Sequence, residues 1–272
     1  MTDQVFREYT SSDIPALTVL WTDIFGDTAE TVACFFRVLP KIGSCFVAEC
    51  GGEIAGMTSV LTDQRYVYGE ACVPCAYIYA VAIDPRHRGA GIGARLSRMA
   101  EEYGRENGAQ IIATMPADEG LYIMYEKTLG LKKTLRRRKI FATADHTTEA
   151  FSLTPASPAA YNAKREELLA ALPHVSVSDE SIEYLKSLCE ENGGDIYVSD
   201  TCCAACYVNH KEVFFPELLC PDEERKRLLA VGAAFRNAAG AFSFIPCNDG
   251  EKSLAYNGGE PEADTVWNST FE

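Results

Sequence analysis

One stretch constrains the fold of this sequence most: residues 77–95, where a run of apolar residues is followed by a basic, glycine-rich loop. The run Tyr77–Ile83 predicts a buried strand, and a proline shortly after it marks a turn. Three glycines spaced two residues apart then precede a segment with helical periodicity. Glycine lets a phosphate approach the backbone, and a helix start offers unpaired N–H groups. Together with Arg86 and Arg88, this pattern predicts an anion-binding site.

Two common phosphate-binding patterns fit this stretch less well. A P-loop is excluded because no Gly-Lys-Ser/Thr sequence follows. The run Gly89–Ala94 satisfies the dinucleotide-binding pattern G-x-G-x-x-A. However, five residues, two of them arginines, separate the strand from the first glycine, and hairpin-like strands precede it. A glycine-rich helix start that binds nothing is a further alternative, but it leaves the paired arginines unexplained.

The segment Arg88-x-x-Gly91-x-Gly93 resembles the Q/R-x-x-G-x-G/A signature of the GNAT superfamily of N-acetyltransferases. The resemblance extends over roughly the first half of the chain. It implies that the loop holds the pyrophosphate of acetyl-coenzyme A and that the preceding strand contacts the pantetheine arm and the thioester. The residues expected to bind the cofactor are Val81, Ala82, Ile83, Arg88, Gly89, Ala90, Gly91, Ile92, Gly93 and Ala94.

A second segment, Tyr125–Leu131, resembles the family's Y-E-K-x-G-F element. It has one extra residue before the glycine and a leucine in place of the aromatic residue. In the family the tyrosine points at the thioester sulfur, so the resemblance implies that Tyr125 is the catalytic acid for the departing thiolate. A phenol with a pKa of about 10 is protonated at neutral pH. A core tyrosine on an amphipathic helix is the alternative.

The sequence does not identify a general base. The predicted central strand carries Tyr77 and Tyr79 but no carboxylate. Asp23, Asp27 and Glu30, near the junction of the first two predicted helices, are candidates by position only. Deprotonation of the acceptor through water is the alternative.

The order of predicted elements indicates the fold class. A strand, two helices and three antiparallel strands, with a tyrosine-rich loop before Tyr77–Ile83, precede the glycine-rich loop. A helix, a strand, a second helix and the basic strand Lys132–Phe141 follow it. Residues 161–272 predict two helices, three strands, a helix and a strand, which repeats the order of residues 14–115.

We therefore expect an α/β (α+β) protein with a mixed, mainly antiparallel sheet flanked by helices, built as a tandem of two GNAT-like domains. The expected division is a catalytic domain at 1–142, a linker of Pro, Ser and Thr composition at 143–160, and a degenerate domain at 161–272. The last residues, from Lys252, are expected to add strands. The degenerate domain is expected to bind no coenzyme A, because Cys220–Glu224 replaces the loop with three carboxylates and no glycine.

Charge and cysteine content limit the partners. The net charge of −14 argues against nucleic acid and anionic membranes. Residues 1–142 carry 16 basic against 17 acidic residues, whereas residues 143–272 carry 9 against 22. The eleven cysteines lie singly, mostly in apolar runs, which suits reduced thiols. The pairs Cys72/Cys75 and Cys203/Cys206 lie in strand-like sequence rather than on zinc knuckles, so no metal site is expected.

We expect a cytoplasmic location, because no apolar run reaches transmembrane length and the residues from Met1 to Gln4 do not begin a signal peptide. The expected function is an N-acetyltransferase that moves an acetyl group from acetyl-CoA to a primary amine. The acidity favours a small cationic amine, a polyamine, an aminoglycoside-like compound or a basic peptide as acceptor. A coenzyme A-binding regulatory or scaffold protein without turnover is the alternative, and a homodimer is an open possibility.

Overall fold

The structure is a computed structural model that describes residues 4–147 and 153–267. Residues 1–3, 148–152 and 268–272, which include parts of the expected N-terminus, linker and tail, lie outside the described residues. The chain forms two compact units. Unit 1 takes its described residues from 1–66, 72–135 and 252–260, and unit 2 from 67–71, 136–251 and 261–272.

The helices and strands alternate along both halves of the chain. The strands are β1 (Gln4–Glu8), β2 (Gly43–Cys50), β3 (Glu53–Tyr68), β4 (Ala71–Ile83), β5 (Ile111–Thr114), β6 (Lys133–Thr143), β7 (Thr154–Pro155), β8 (His174–Ser176), β9 (Asp195–Val198), β10 (Cys203–Asn209), β11 (Glu212–Leu219), β12 (Gly240–Pro246) and β13 (Glu251–Asn257). The helices are α1 (Ile14–Phe25), α2 (Ala29–Ile42), α3 (Ile92–Glu106), α4 (Glu119–Leu129), α5 (Pro158–Leu169), α6 (Asp179–Glu191) and α7 (Asp222–Phe235), with short 3-10 turns at Ser11–Asp13 and Pro85–His87.

In unit 1 the strands follow the order β1-β2-β3-β4-β5-β13. β4 and β5 are parallel, whereas β1/β2, β2/β3 and β5/β13 are antiparallel. Helices α3 and α4 bury Leu96, Ala100 and Leu129 in a core shared with the sheet. α3 approaches the sheet closely at Gly104, where a Cβ would lie 2.7 Å from the Cβ of Ala76. The mixed, mainly antiparallel sheet that the sequence predicts is therefore confirmed.

The prediction of a tyrosine-rich loop before Tyr77 is wrong, because these residues form a hairpin. β3 continues to Tyr68 and β4 already begins at Ala71. The turn is made possible by Gly69, whose φ of 56° suits glycine. The β-branched and aromatic residues on either side favour strands over a loop.

Unit 2 repeats the order of unit 1, as predicted. Its strands follow the order β6-β12-β11-β10-β9-β7. β11 and β12 are parallel and are joined through α7, just as β4 and β5 are parallel and joined through α3. The pairs β9/β10 and β10/β11 are antiparallel. The described residues thus contain a tandem of two similar α/β arrangements.

The tail strand β13 belongs to unit 1. The expected division instead includes this strand in the second domain, at residues 161–272. β13 pairs antiparallel with β5, with Ala255 opposite Thr114. Asn257 fixes this end of the strand, since its Nδ2 donates to the carbonyl of Leu129 at 2.7 Å and its Oδ1 accepts from Arg105 at 2.5 Å. Covering the edge of β5 removes an unpaired row of backbone groups from the sheet.

Basic residues of strand β6 form ion pairs with acidic residues from the second half of the sequence. Within unit 2, Arg137 pairs with Glu251 at 3.0 Å and Arg138 with Asp249 at 2.5 Å. Exposed pairs of this kind contribute little individually. Such pairs help to explain how β6 can carry five basic residues between Lys133 and Lys139.

A buried ion pair anchors α5 to the sheet of unit 2. Arg165 and Glu217 are 2% and 1% exposed, and Arg165 Nε donates to Glu217 Oε1 at 3.0 Å. The Tyr161 hydroxyl donates to Glu217 Oε2 at 2.8 Å, and another Arg165 nitrogen donates to the carbonyl of Val175 at 2.8 Å. Both buried charges are hydrogen-bonded in the native protein. Removing either Arg165 or Glu217 would leave the other charge buried without its partner, which destabilises the fold.

We expect Arg165→Met to lower the free energy of unfolding by about 3–5 kcal/mol, because it leaves the Glu217 carboxylate buried without its cation. Urea denaturation followed by circular dichroism measures this. The control is Lys164→Met on the same helix, whose partly exposed ion pair with Glu167 at 2.7 Å predicts a loss below about 1 kcal/mol. Equal losses in the two variants would contradict the assignment.

Candidate active site

The site is built where β4 and β5 part. Their parallel pairing runs from Cys75 to Ile78, and β5 ends at Thr114. Residues 79–83 of β4 therefore continue past the end of the strand that neighbours them on this side. The Thr114 hydroxyl donates to the carbonyl of Ile78 at 2.9 Å, which fixes the point of divergence. We call this place the fork; an extended ligand can add main-chain hydrogen bonds to such a strand edge.

The backbone of β4 is irregular at the fork. Ala80 has a φ of 52°, in the left-handed region that non-glycine residues seldom adopt. This conformation reorients the peptide groups next to Val81, the first strand residue predicted to contact the cofactor. Ala82 is fully buried, while Val81 and Ile83 are half-buried. Strained conformations of this type cluster at ligand sites.

The two loop arginines differ in their surroundings. Arg86 pairs with Asp84 at 2.6 Å, and its backbone N–H donates to the same carboxylate at 2.8 Å. The hydrogen bonds from Arg86 lower the pKa of Asp84 to about 2. Asp84 therefore offsets the positive charge that Arg86 brings to the loop. Arg88 is exposed and donates through Nε to the carbonyl of Ile83 at 3.3 Å, so it remains the cation of the loop.

The three glycines of the loop differ in backbone conformation. Gly89 and Gly91 have φ values of 79° and 78°, and a Cβ added to either would meet no atom within 4 Å. Backbone conformation, not space, thus favours glycine at these positions. Gly93 lies in the helix, and its Cβ would meet Ile83 at an ordinary 3.6 Å. Neither conformation nor packing within the chain demands glycine at this position.

The start of α3 is open to an anion. Its N-cap is Gly91, which has no side chain to cap the helix. The first intrahelical bond runs from the N–H of Arg95 to the carbonyl of Gly91 at 3.1 Å. The N–H groups of Ile92, Gly93 and Ala94 lie in the first turn, where a helix offers them no acceptor. Such a helix start favours a phosphate group through these donors and the helix dipole.

Tyr125 reaches the fork from α4. The helix begins at the N-cap Asp118, whose side chain accepts from the N–H of Leu121 at 2.9 Å. The Tyr125 side chain is buried. Burial raises the pKa of Tyr125 to about 12, and the hydroxyls of Ser97 on α3 and Thr114 on β5 oppose this rise. The phenol is therefore protonated at neutral pH.

Comparison with known proteins identifies the fold that carries this geometry. Residues 5–127 match the family model of the acetyltransferase (GNAT) domain. This part of the chain belongs to the GNAT family. The match runs from β1 into α4 and so includes the fork, the glycine loop and Tyr125. No curated protein matches the sequence.

Several solved structures share the fold over nearly the whole chain. A GCN5-related N-acetyltransferase from Kribbella flavida has a TM-score of 0.66 at 16% identity, covering 94% of this chain and 70% of that one. One from Anabaena variabilis has a TM-score of 0.62 at 13% identity, covering 94% and 70%. Eis1 from Mycobacterium abscessus has a TM-score of 0.60 at 14% identity, covering 93% and 73%. At such identities the likeness concerns the fold, which both units share with these proteins.

In the GNAT domain an aromatic cluster joins β4 to helices α1 and α2. The ring of Tyr79 is 5.6 Å from that of Trp21 and 5.5 Å from that of Phe35. Of the three candidate bases, Asp27 is partly buried and accepts from the indole N–H of Trp21 at 2.7 Å. The other two, Asp23 and Glu30, are exposed. Asp27 thus orders the loop between α1 and α2, and none of the three is established as the base.

The cysteines are free thiols throughout the described residues. Cys72 is exposed and Cys75 is buried, because residues three apart on a strand point to opposite faces. Burial raises the pKa of Cys203 and raises that of Cys206 to about 11. Among the described residues, no group of three or more His, Cys, Asp or Glu side chains could hold a metal ion. No helix in the same residues is long and apolar enough to cross a membrane.

The corresponding helix start in unit 2 has different chemistry. α7 begins after Pro221 and carries Asp222, Glu223 and Glu224 in its first turn. These carboxylates lie where the helix dipole favours negative charge. The negative charge at this helix start therefore comes from side chains of the protein and not from a bound ligand. Arg225 donates to the carbonyl of Leu218 at 2.6 Å. The first turns of α3 and α7 therefore differ in charge although they occupy the same place in the order of elements.

Proposed function

We propose that this protein is an N-acetyltransferase that moves an acetyl group from acetyl-CoA to a primary amine. The observation that carries the proposal is the combination, within one GNAT domain, of the fork in β4 and β5, the uncapped start of α3 and a protonated tyrosine at the fork. Each of these features fits a different part of an acetyl thioester of coenzyme A.

The cofactor would lie along the fork. Its pyrophosphate would accept from the N–H groups of Ile92, Gly93 and Ala94 and pair with Arg88, the exposed cation of the loop. Its pantetheine arm would run along residues 81–83, where β4 has passed the end of β5. Gly89, Ala90 and Gly91 would form the wall of the loop beside the phosphates. In this arrangement the thioester would lie next to Tyr125.

The chemistry requires a neutral amine to attack the thioester carbonyl and a thiolate to depart. The amine nitrogen forms the new C–N bond and loses a proton to water or to a carboxylate, and the C–S bond breaks with its electron pair moving to sulfur. Tyr125 would donate to the sulfur as negative charge develops there. Because the phenol is protonated over the whole neutral range, it can serve as this donor.

The acidic second half supports a cationic acceptor. Residues 143–272 carry 22 acidic against 9 basic residues, so their potential attracts cations and repels anions. A small amine, a polyamine, an aminoglycoside-like compound or a basic peptide all fit this field. The acidity also favours solubility, which is the alternative explanation of the charge.

The reaction is tested by following thiol release from acetyl-CoA in the presence of a panel of amines. We expect release that depends on the amine and on the protein. Binding of coenzyme A without thiol release by any amine would instead support the alternative, a regulatory or scaffold protein that has lost turnover.

The first prediction concerns the cofactor loop. We expect Arg88→Glu to raise the Kd for acetyl-CoA at least about tenfold in calorimetry, since a charge-assisted contact to phosphate contributes roughly 1.5–3 kcal/mol. The side chain is exposed, so the fold should tolerate the change. Arg98→Glu, an exposed position further along α3, carries the same change of net charge and should leave the Kd within about twofold. Wild-type affinity in Arg88→Glu would exclude the loop as the pyrophosphate site.

The second prediction concerns Tyr125. We expect Tyr125→Phe to keep the Kd for acetyl-CoA and to lower kcat about ten- to a thousandfold, the usual range for a single donor in the transition state. The matched control is Tyr122→Phe on the same helix, whose kcat should be close to that of the wild type. If Tyr125→Phe retains wild-type kcat at saturating amine, the residue belongs to the core only.

The third prediction concerns steering by the acidic half. We expect KM for a cationic acceptor to rise with ionic strength while KM for a neutral amine of similar size stays constant, because salt screens the attraction over roughly 10 Å at 0.1 M. Steady-state kinetics from low to moderate salt measure the difference. The same salt response for both acceptors would leave solubility as the role of the charge.

A further inference from the structure

We propose that Gly56 on β3 is a positioning residue of the cofactor site, because its lack of a side chain lets the end of β4 and the start of α3 pack together against β3. The inference rests on the proposed binding of acetyl-CoA. Gly56 lies outside the glycine-rich loop and belongs to neither of the two family-like motifs.

Packing, rather than backbone conformation, requires glycine at this position. Gly56 is buried, and it is not among the glycines with a positive φ. A Cβ added to it would lie 2.7 Å from Cδ1 of Ile83, 3.2 Å from the carbonyl oxygen of Ala82 and 3.2 Å from Cγ2 of Ile92. Since carbon atoms pack at roughly 3.5–4.0 Å, an alanine here would force its neighbours to move.

The three neighbours of the missing Cβ belong to the parts of the site that would hold the cofactor. Ala82 and Ile83 are the last two residues of β4, along which the pantetheine arm would run. Ile92 is the first residue of α3, and its N–H is one of the donors without an acceptor in the helix. The side chain of Ile83 also faces Gly93, whose added Cβ would lie 3.6 Å from Ile83 Cγ1. Ile83 is thus enclosed between β3 and the first turn of α3.

The backbone of β3 beside Gly56 is tied to the same end of β4. The register of β3 against β2 shifts here, which leaves Ala55 as the extra residue of a β-bulge. The carbonyl of Ala55 accepts from the N–H of Asp84, directly after β4, at 3.0 Å. Because this bond holds β3 in place, a side chain at position 56 would displace the end of β4 and the start of α3 relative to each other.

Calorimetry with coenzyme A tests the positioning. We expect Gly56→Ala to raise the Kd about five- to twentyfold, as for the weakening of one hydrogen bond to a charged group. The matched control is Gly104→Ala, further along α3, whose Cβ would lie 2.7 Å from that of Ala76. It overpacks the same helix against the same sheet away from the loop, so the melting temperature should fall while the Kd stays within about twofold. An unchanged Kd in Gly56→Ala, or an equal rise in both variants, would overturn the proposal.

A double-mutant cycle tests which contact transmits the effect. Ile83→Val removes Cδ1, the atom that the alanine Cβ would meet at 2.7 Å. In the Ile83→Val background we therefore expect Gly56→Ala to raise the Kd by less than about twofold. The same rise in both backgrounds would contradict transmission through Ile83.

A second readout needs no cofactor. In the amide NMR spectrum of the free protein, we expect the resonances of Gly89, Gly91 and Gly93 to shift in Gly56→Ala and to stay in place in Gly104→Ala. Unchanged resonances in Gly56→Ala would contradict the positioning. If the wild type does not bind coenzyme A while these resonances shift, the proposed function fails and the effect of Gly56 on the loop stands.

The same spectrum decides the case in which Gly56→Ala does not fold. The double variant with Ile83→Val still places a Cβ 3.2 Å from Cγ2 of Ile92. We expect the loop resonances to differ between this double variant and Ile83→Val alone, and identical resonances would overturn the proposal.

Discussion

The early end of β5 determines the candidate site of unit 1. β5 has only the residues Ile111–Thr114, whereas its parallel neighbour β4 continues to Ile83. The sequence gives a physical reason, since Pro116 cannot donate to a strand and Asp118 caps the next helix by accepting from Leu121. The chain must therefore leave the sheet here. The exposed edge of β4, the nearby start of α3 and the approach of α4 all depend on this departure.

The two units show that the fold does not by itself make a binding site. Both place a helix between two parallel strands, α3 in unit 1 and α7 in unit 2. The first turn of α3 offers backbone N–H groups beside Arg88, whereas that of α7 carries three carboxylates. Anion binding at a helix start depends on which charges occupy the first turn, because the helix dipole contributes only a partial charge. The chemistry thus follows a few loop residues rather than the architecture.

Local features of the site could be predicted from the sequence, and features that join distant residues could not. The glycine loop, the start of α4 at Asp118 and its end at Gly130 follow from turn and capping preferences of neighbouring residues. The pairing of Arg86 with Asp84 was also accessible, since the two residues are only two positions apart. In contrast, the contact of Arg165 with Glu217 spans 52 residues, and the pairing of β13 with β5 is set by the folded sheet. The left-handed Ala80 has no signature in residue type, because alanine has no preference for that conformation.

The environment of Tyr125 defines what kind of donor it can be under the proposed function. A thiol has an ordinary pKa of about 8.5, well below the value of about 12 to which burial raises the pKa of this phenol. A proton shared between them therefore stays on the phenol, and full transfer to the thiolate is unfavourable. A hydrogen bond that forms as charge develops on sulfur needs no such transfer and is stronger in a buried site than in water. The same burial that makes Tyr125 resemble a core residue thus suits it to stabilise a leaving thiolate by hydrogen bonding rather than by giving up its proton.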